Sequence, residues 1–85
     1  MEENHLQVRD YNLIKYQQLP EDFVGLTKIR YKDQGTLATI NSVDQKLDVI
    51  FHQSVSGVAP GQSAVFYEGD DLVGGGFIDR KKLLF

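Results

Sequence analysis

The residues that most constrain the fold of this chain run from Ala59 to Ile78, APGQSAVFYEGDDLVGGGFI. A Pro60-Gly61 turn is followed by a short run of strand formers, Ser63-Ala64-Val65-Phe66-Tyr67. An acidic glycine turn, Glu68-Gly69-Asp70-Asp71, then leads through Leu72-Val73 into Gly74-Gly75-Gly76. Proline presets the torsion of the first turn, and Gly69 supplies the permissive torsion of the second. Three consecutive glycines before Phe77-Ile78 predict a bulge, a bend, or a place where a second backbone or a ligand approaches closely. Two apolar runs of this length around a tight turn form a hairpin, and hairpins punctuated by glycine build small barrels.

The rest of the chain reads the same way. Leu6–Ile14 alternates imperfectly, with Leu6, Val8, Asp10 and Asn12 on one face and Gln7, Arg9, Tyr11 and Leu13 on the other, which predicts a strand. Lys15–Phe23 is a connection, in which Pro20 followed by Glu21-Asp22 has the form of a single helical turn. Val24–Lys32 is rich in strand formers and closes at the turn residues Asp33-Gln34-Gly35. Thr36–Val43 and Leu47–His52 form a hairpin across Asp44-Gln45-Lys46, and Ser54–Gly61 reads as a loop. Ser63–Tyr67 and Leu72–Asp79 make the second hairpin, and Arg80–Phe85 adds a final edge segment or frays. There is no long helical period, no internal repeat and no low-complexity segment. The expected fold is all-β: a small antiparallel β-barrel of about six strands, in a single domain.

Composition narrows the function classes. At 85 residues the chain fits one domain, and a chain of this size buries only roughly 60–65% of its unfolded surface. It contains no cysteine, so no disulfide framework and no thiolate chemistry are available. The N-terminus carries Glu2-Glu3 and no apolar run, so no signal peptide is read. No run approaches the roughly 18 apolar residues of a membrane span, and no membrane partner is expected.

The net charge is −3 and the pI near 5.2, which by itself speaks against nucleic acid. The distribution softens this. Residues 1–23 hold two basic and five acidic groups, residues 24–52 four and three, and residues 53–85 three and four. The middle third alone is net basic, and Lys28, Arg30 and Lys32 concentrate its charge. On a strand these three share one face and Ile29 and Tyr31 the other. Such a row is either an ordinary solvated strand face or a track of cations for phosphates.

Three blocks together resemble the end of the tRNA-specific 2-thiouridylases, sometimes labelled tRNA (5-methylaminomethyl-2-thiouridylate)-methyltransferases. Pro60-Gly61-Gln62, Val65-Phe66-Tyr67, Gly69-Asp70 and Val73-Gly74-Gly75-Gly76 are similar to that family's PGQ, VFY, G-D and LGGG. Lys28-Ile29-Arg30-Tyr31-Lys32 is similar to its KIRYR. Val8-Arg9-Asp10-Tyr11-Asn12-Leu13-Ile14 is similar to its V-x-D-x-N-W-I, with Leu13 where tryptophan is usual. The order and spacing agree over nearly the whole chain.

The resemblance implies that residues 1–85 are the detached C-terminal barrel of an ATP-dependent, cytoplasmic enzyme that places sulfur on the wobble uridine of tRNA. The implied role is an accessory one, helping to position the anticodon arm. The family's ATP-pyrophosphatase domain, with its SGGVDS-like phosphate loop and two cysteines, is absent from this sequence. This chain alone is therefore not expected to be an enzyme, and no cofactor is expected in it, ATP belonging to the missing domain. The resemblance assigns tRNA contact to Arg30 and Tyr31, flanked by Lys28 and Lys32, and to Gln62, which on its own reads as a polar residue capping its loop. Gly74, Gly75 and Gly76 are not a phosphate cradle, because no helix follows. They read as a strand kink where the barrel meets the enzyme's other domains. The alternative role is a protein-interaction barrel that docks on the catalytic or central domain or on a sulfur-relay partner, using the glycine segment and the Leu83-Leu84-Phe85 tail.

The remaining candidates read as structural. Of Phe66 and Tyr67, which alternate sides, one is core and the other is core or partly buried, with base stacking a further option for it. His5 and His52 lack metal-ligand spacing, so no metal is expected. Glu68, Asp70 and Asp71 lack the spacing of a calcium loop and read as a solvated turn.

Overall fold

The computed structural model describes residues 2–29, 34–59 and 61–79, with the side chains of Glu2 and Glu3 left aside. Six strands follow in order: β1 (Glu2–Leu13), β2 (Phe23–Lys28), β3 (Thr36–Val43), β4 (Lys46–Ser56), β5 (Ser63–Glu68) and β6 (Asp71–Ile78). They close into a barrel in the order β1-β4-β3-β2-β5-β6, and every pairing is antiparallel. Closure removes the exposed sheet edges that a small all-β domain would otherwise present. β1 accomplishes it by pairing over its first half with β4 and over its second half with β6.

Register explains the core. Phe23 pairs with Ile40, Ile40 with Val49, and Val49 with Leu6, so one row of inward side chains crosses four strands. A second row joins Leu47, Val8 and Ile78. All seven are buried. Each such side chain contributes roughly 1.5–3 kcal/mol when fully buried, before conformational entropy is subtracted. Phe66 is fully buried while Tyr67 is half-buried, which settles which member of that pair is core.

Four sequence expectations are corrected. β1 does not alternate uniformly. Leu6 and Val8 point inward, Asp10 takes a left-handed φ of 49°, the β1–β6 register shifts between Arg9 and Asn12, and Tyr11 and Leu13 then pack against the core. One extra residue in the strand flips the inward face, as a bulge does. The connection before β2 contains no helical turn: Glu21 and Asp22 form a turn in which Asp22 has a φ of 54°. The Asp22 N–H donates to Asn41 Oδ1 at 2.8 Å and Asn41 Nδ2 donates to Asp22 Oδ1 at 3.0 Å, so a side-chain partner on β3 holds the bend.

β1 and β4 are also longer than the hydrophobic pattern suggested. Glu2 and Glu3 pair with Ser56 and Val55, which carries β4 to Ser56 through what read as loop. β2 is described as strand only to Lys28. Arg30–Asp33, Pro60 and the Arg80–Phe85 tail lie outside the described residues, as do the sequence readings placed on them.

The β3–β4 hairpin turns on Asp44 and Gln45, with φ of 50° and 67°, between the paired Val43 and Lys46. Two left-handed residues in a two-residue loop are the signature of a type I′ turn. The β5–β6 loop has Gly69 at its first position with φ 61°, the place where type II′ turns favour glycine.

Candidate nucleic-acid interface

The inward residues of β2 are Phe23, Gly25 and Thr27, and buried Ile29 continues the series. Lys28 therefore stands on the outer face, as expected from alternation. It pairs with Val65 on β5. Its Nζ lies 5.0 Å from the ring centroid of Tyr67, which pairs with Leu26 on the same two strands. This is a diagonal cross-strand contact between a cation and an aromatic face.

The other described cations are all committed to carboxylates. Arg9 contacts Asp10 at 2.7 Å and Asp79 at 3.7 Å, Lys46 contacts Asp79 at 2.5 Å, and Lys15 contacts Asp71 at 2.7 Å and Glu68 at 2.9 Å. Lys28 alone among the described Lys and Arg side chains has no carboxylate within ion-pair range. Its charge is thus not cancelled by any carboxylate among the described residues. Arg30, Tyr31 and Lys32 lie outside the described residues.

Gln62 follows a turn with type II features. Gly61 has a φ of 87°, and the Gln62 N–H donates to the Ala59 carbonyl at 3.4 Å. The Gln62 Oε1 accepts the Ala59 N–H at 2.9 Å, so half of its amide caps its own loop. Its backbone carbonyl accepts the Ile78 N–H at 2.7 Å, tying the turn to β6. The amide nitrogen of Gln62 has no hydrogen-bond partner among the described residues and remains an available donor.

The three glycines of β6 answer to neighbours within the barrel. A side chain at Gly76 would place Cβ 2.6 Å from Val8 Cγ1 and 2.8 Å from the Arg9 carbonyl oxygen. One at Gly75 would lie 2.7 Å from the Ala64 carbonyl oxygen, and one at Gly74 would collide with the Asn12 carbonyl oxygen. β6 is squeezed between β1 and β5, and hydrogen is the only substituent that fits. The Arg9–Asn12 bulge on β1 faces this segment.

Sequence reasoning missed one feature of the acidic turn. Glu68 and Asp71 are not simply solvated, because Lys15 bridges them and the Tyr16 hydroxyl donates to Glu68 Oε1 at 2.5 Å. The hydrogen bonds from Tyr16 and Lys15 hold the Glu68 carboxyl below its ordinary range. The bond to Glu68 raises the Tyr16 hydroxyl, and those to Asp71 and Glu68 raise the Lys15 ammonium. Lys15-Tyr16 and Glu68 are more than fifty positions apart, so only the barrel brings them together. Among the described residues no group of His, Asp and Glu is arranged to hold a metal, and no helix is long and apolar enough to cross a membrane.

Comparison with known proteins agrees with the fold. Residues 3–78 match the family model of the aminomethyltransferase beta-barrel domain. Among curated relatives, the tRNA-specific 2-thiouridylase MnmA of Cytophaga hutchinsonii is 54% identical over 64% of this chain and 15% of its own length. That of Amoebophilus asiaticus is 43% identical over 84% of this chain and 19% of its own. That of Chlorobium phaeobacteroides is 42% identical over 86% and 21%. The chain spans about a fifth or less of the length of these relatives and corresponds to their C-terminal part. It belongs to the aminomethyltransferase β-barrel domain family and is similar to the C-terminal part of tRNA-specific 2-thiouridylases.

Proposed function

We propose that this barrel is a non-catalytic tRNA-binding domain of an ATP-dependent tRNA 2-thiouridylase, one that helps position the anticodon arm for thiolation of the wobble uridine. The observation that carries this reading is Lys28: an outward lysine with no carboxylate partner among the described residues, beside Tyr67, in the sequence block that continues into Arg30, Tyr31 and Lys32. The relatives that the chain resembles are named for action on tRNA. In this reading Arg30 forks onto a phosphate, Lys28 and Lys32 flank it as point charges, Tyr31 lies against the RNA, and the free amide nitrogen of Gln62 donates to a base, sugar or phosphate oxygen. ATP and the sulfur-carrying cysteines belong to the domains of the enzyme outside this chain, which are its partners alongside tRNA. A few phosphate contacts on an acidic domain give weak, salt-sensitive binding. Arg30→Glu should lower affinity for tRNA at low salt while the chain keeps its fold by circular dichroism. Unchanged affinity would remove Arg30 from the site.

A second reading, docking of the barrel on the catalytic or central domain or on a sulfur-relay partner, is favoured by one observation. Val24, Leu37 and Ile50 are exposed together on the outer face of β2, β3 and β4, where Val24 pairs with Thr39 and Thr39 with Ile50. Titration with the separated catalytic domain would shift these residues if they form the docking face, and would leave them unmoved otherwise. The two roles are compatible.

A further inference from the structure

A cleft of about 370 Å³ opens at the end of the barrel where β1 runs into its connection to β2. Its volume falls in the range of small-ligand sites, about 300–1,000 Å³. Leu13, Leu19 and Leu47 supply apolar floor. Tyr11 and Tyr16 supply ring walls, and each is fixed by its hydroxyl: Tyr11 lies 3.3 Å from Ser42 Oγ, and Tyr16 donates to Glu68 while its ring meets Phe23 edge-on at 5.7 Å between centroids.

Asn12, Gln17 and Gln18 also line the cleft. Their side-chain amides have no hydrogen-bond partner among the described residues. Each carries both a donor and an acceptor. No charged side chain lines the cleft among the described residues, which makes it a poor place for a phosphate. Rigid aromatic walls, an apolar floor and several unspent amides match instead a neutral, planar ring edged with donors and acceptors.

We infer that this cleft accepts an unstacked nucleobase, its walls packing against the ring and Asn12, Gln17 and Gln18 bonding to the base edge. The inference rests on the tRNA-binding reading and deepens it. The Lys28 face holds the backbone, and the cleft reads a base splayed out of an RNA loop. It also gives a role to the Asn12-Leu13 part of the Val8–Ile14 block, which the cation row leaves unused. Contacts to phosphate and to base leave different signatures. A lost phosphate contact reduces the salt dependence of binding, whereas a lost amide–base contact weakens binding at every salt concentration without changing that slope.

The test uses the 85-residue chain, isotope-labelled, titrated with an unmodified transcript of a tRNA whose wobble position is uridine, between about 50 and 200 mM salt. Alongside run the exposed-loop double variant Gln17→Ala/Gln18→Ala and the variant Lys28→Glu, with amide dispersion confirming the fold of each. The expected result is that the side-chain NH2 signals of Asn12, Gln17 and Gln18 shift with the parent. The double variant binds about tenfold more weakly with an unchanged salt slope, as loss of base-edge bonding predicts. If the parent binds and Lys28→Glu weakens it, while the NH2 signals stay still and the double variant binds like the parent, the cleft assignment is overturned and the tRNA-binding reading stands. If the parent does not bind even at the lowest salt, both are overturned.

Discussion

Lys28 Nζ and the ring of Tyr67 lie 5.0 Å apart, diagonally across the β2–β5 ladder on the outside of the barrel. The other described Lys and Arg side chains face carboxylates, so this pairing leaves one positive charge exposed to incoming anions beside a π-face. Lys28→Ala should weaken tRNA binding and reduce the slope of log affinity against log salt by about one contact's worth, with little change in stability. Lys28→Arg should retain the slope. Fluorescence anisotropy across a salt series measures both.

The glycine segment of β6 gives a packing prediction. Gly76→Ala forces Cβ against Val8 and the Arg9 carbonyl, and overpacking of this kind costs roughly 1–3 kcal/mol, or more where backbone must move. Urea unfolding should show a midpoint well below the parent's. A variant as stable as the parent would mean that β1 yields easily at its bulge.

Two residues with left-handed backbone, one in a turn and one in a bulge, make opposite predictions from those in β6. Gln45 has a φ of 67° in the β3–β4 turn, a conformation that costs a non-glycine residue roughly 1–2 kcal/mol. Gln45→Gly should therefore stabilise the fold by about 1 kcal/mol, giving the Asp-Gly pair that type I′ turns prefer. Asp10, with φ 49° in the β1 bulge, should lose stability when replaced by the β-branched Val and much less when replaced by Gly. Thermal melts of these variants order the effects.

The Lys15–Glu68–Tyr16 cluster predicts a pH dependence. Bonds from Tyr16 and Lys15 lower the Glu68 carboxyl from its ordinary 4.5. The folded state thus binds its proton less readily than the unfolded chain does. The stability this contributes is present above that value and is lost as pH falls through and below it. The Lys15 ammonium is raised, so its share persists through neutral pH and is lost only in strong base. Glu68→Gln should flatten the acid limb of a stability-against-pH curve. Lys15 is exposed and Tyr16 and Glu68 are only partly buried, so added salt should shrink the effect.

The sequence and the barrel agree where local chemistry dominates, and part company where distant strands decide. The Asp44-Gln45 and Gly69 turns, the strands beside them, and the Phe66/Tyr67 alternation follow from turn residues and period-two patterning. The bulge at Asp10 does not, because it depends on β1 changing partners from β4 to β6. It appeared in the sequence only as an alternation that broke after Val8. The ends of β1 and β4 were hidden because Glu2, Glu3 and Ser56 are polar, and only the pairing of Glu2 with Ser56 and of Glu3 with Val55 defines them as strand. On the interface, Lys28 was legible as an outward cation. That it alone among the described Lys and Arg side chains escapes a carboxylate required the fold, as did the meeting of Asn12 with Gln17 and Gln18 around one cleft.

The proposed function is that this barrel holds tRNA through the block that begins at Lys28 and through Gln62. Its most direct test is a titration of the labelled chain with an anticodon stem-loop, following backbone and side-chain amides at two salt concentrations. The expected result is shifts concentrated from Lys28 to Lys32 and at Gln62, fading as salt rises. Shifts absent at low salt, or confined to the exposed Val24, Leu37 and Ile50 patch, would overturn that proposal.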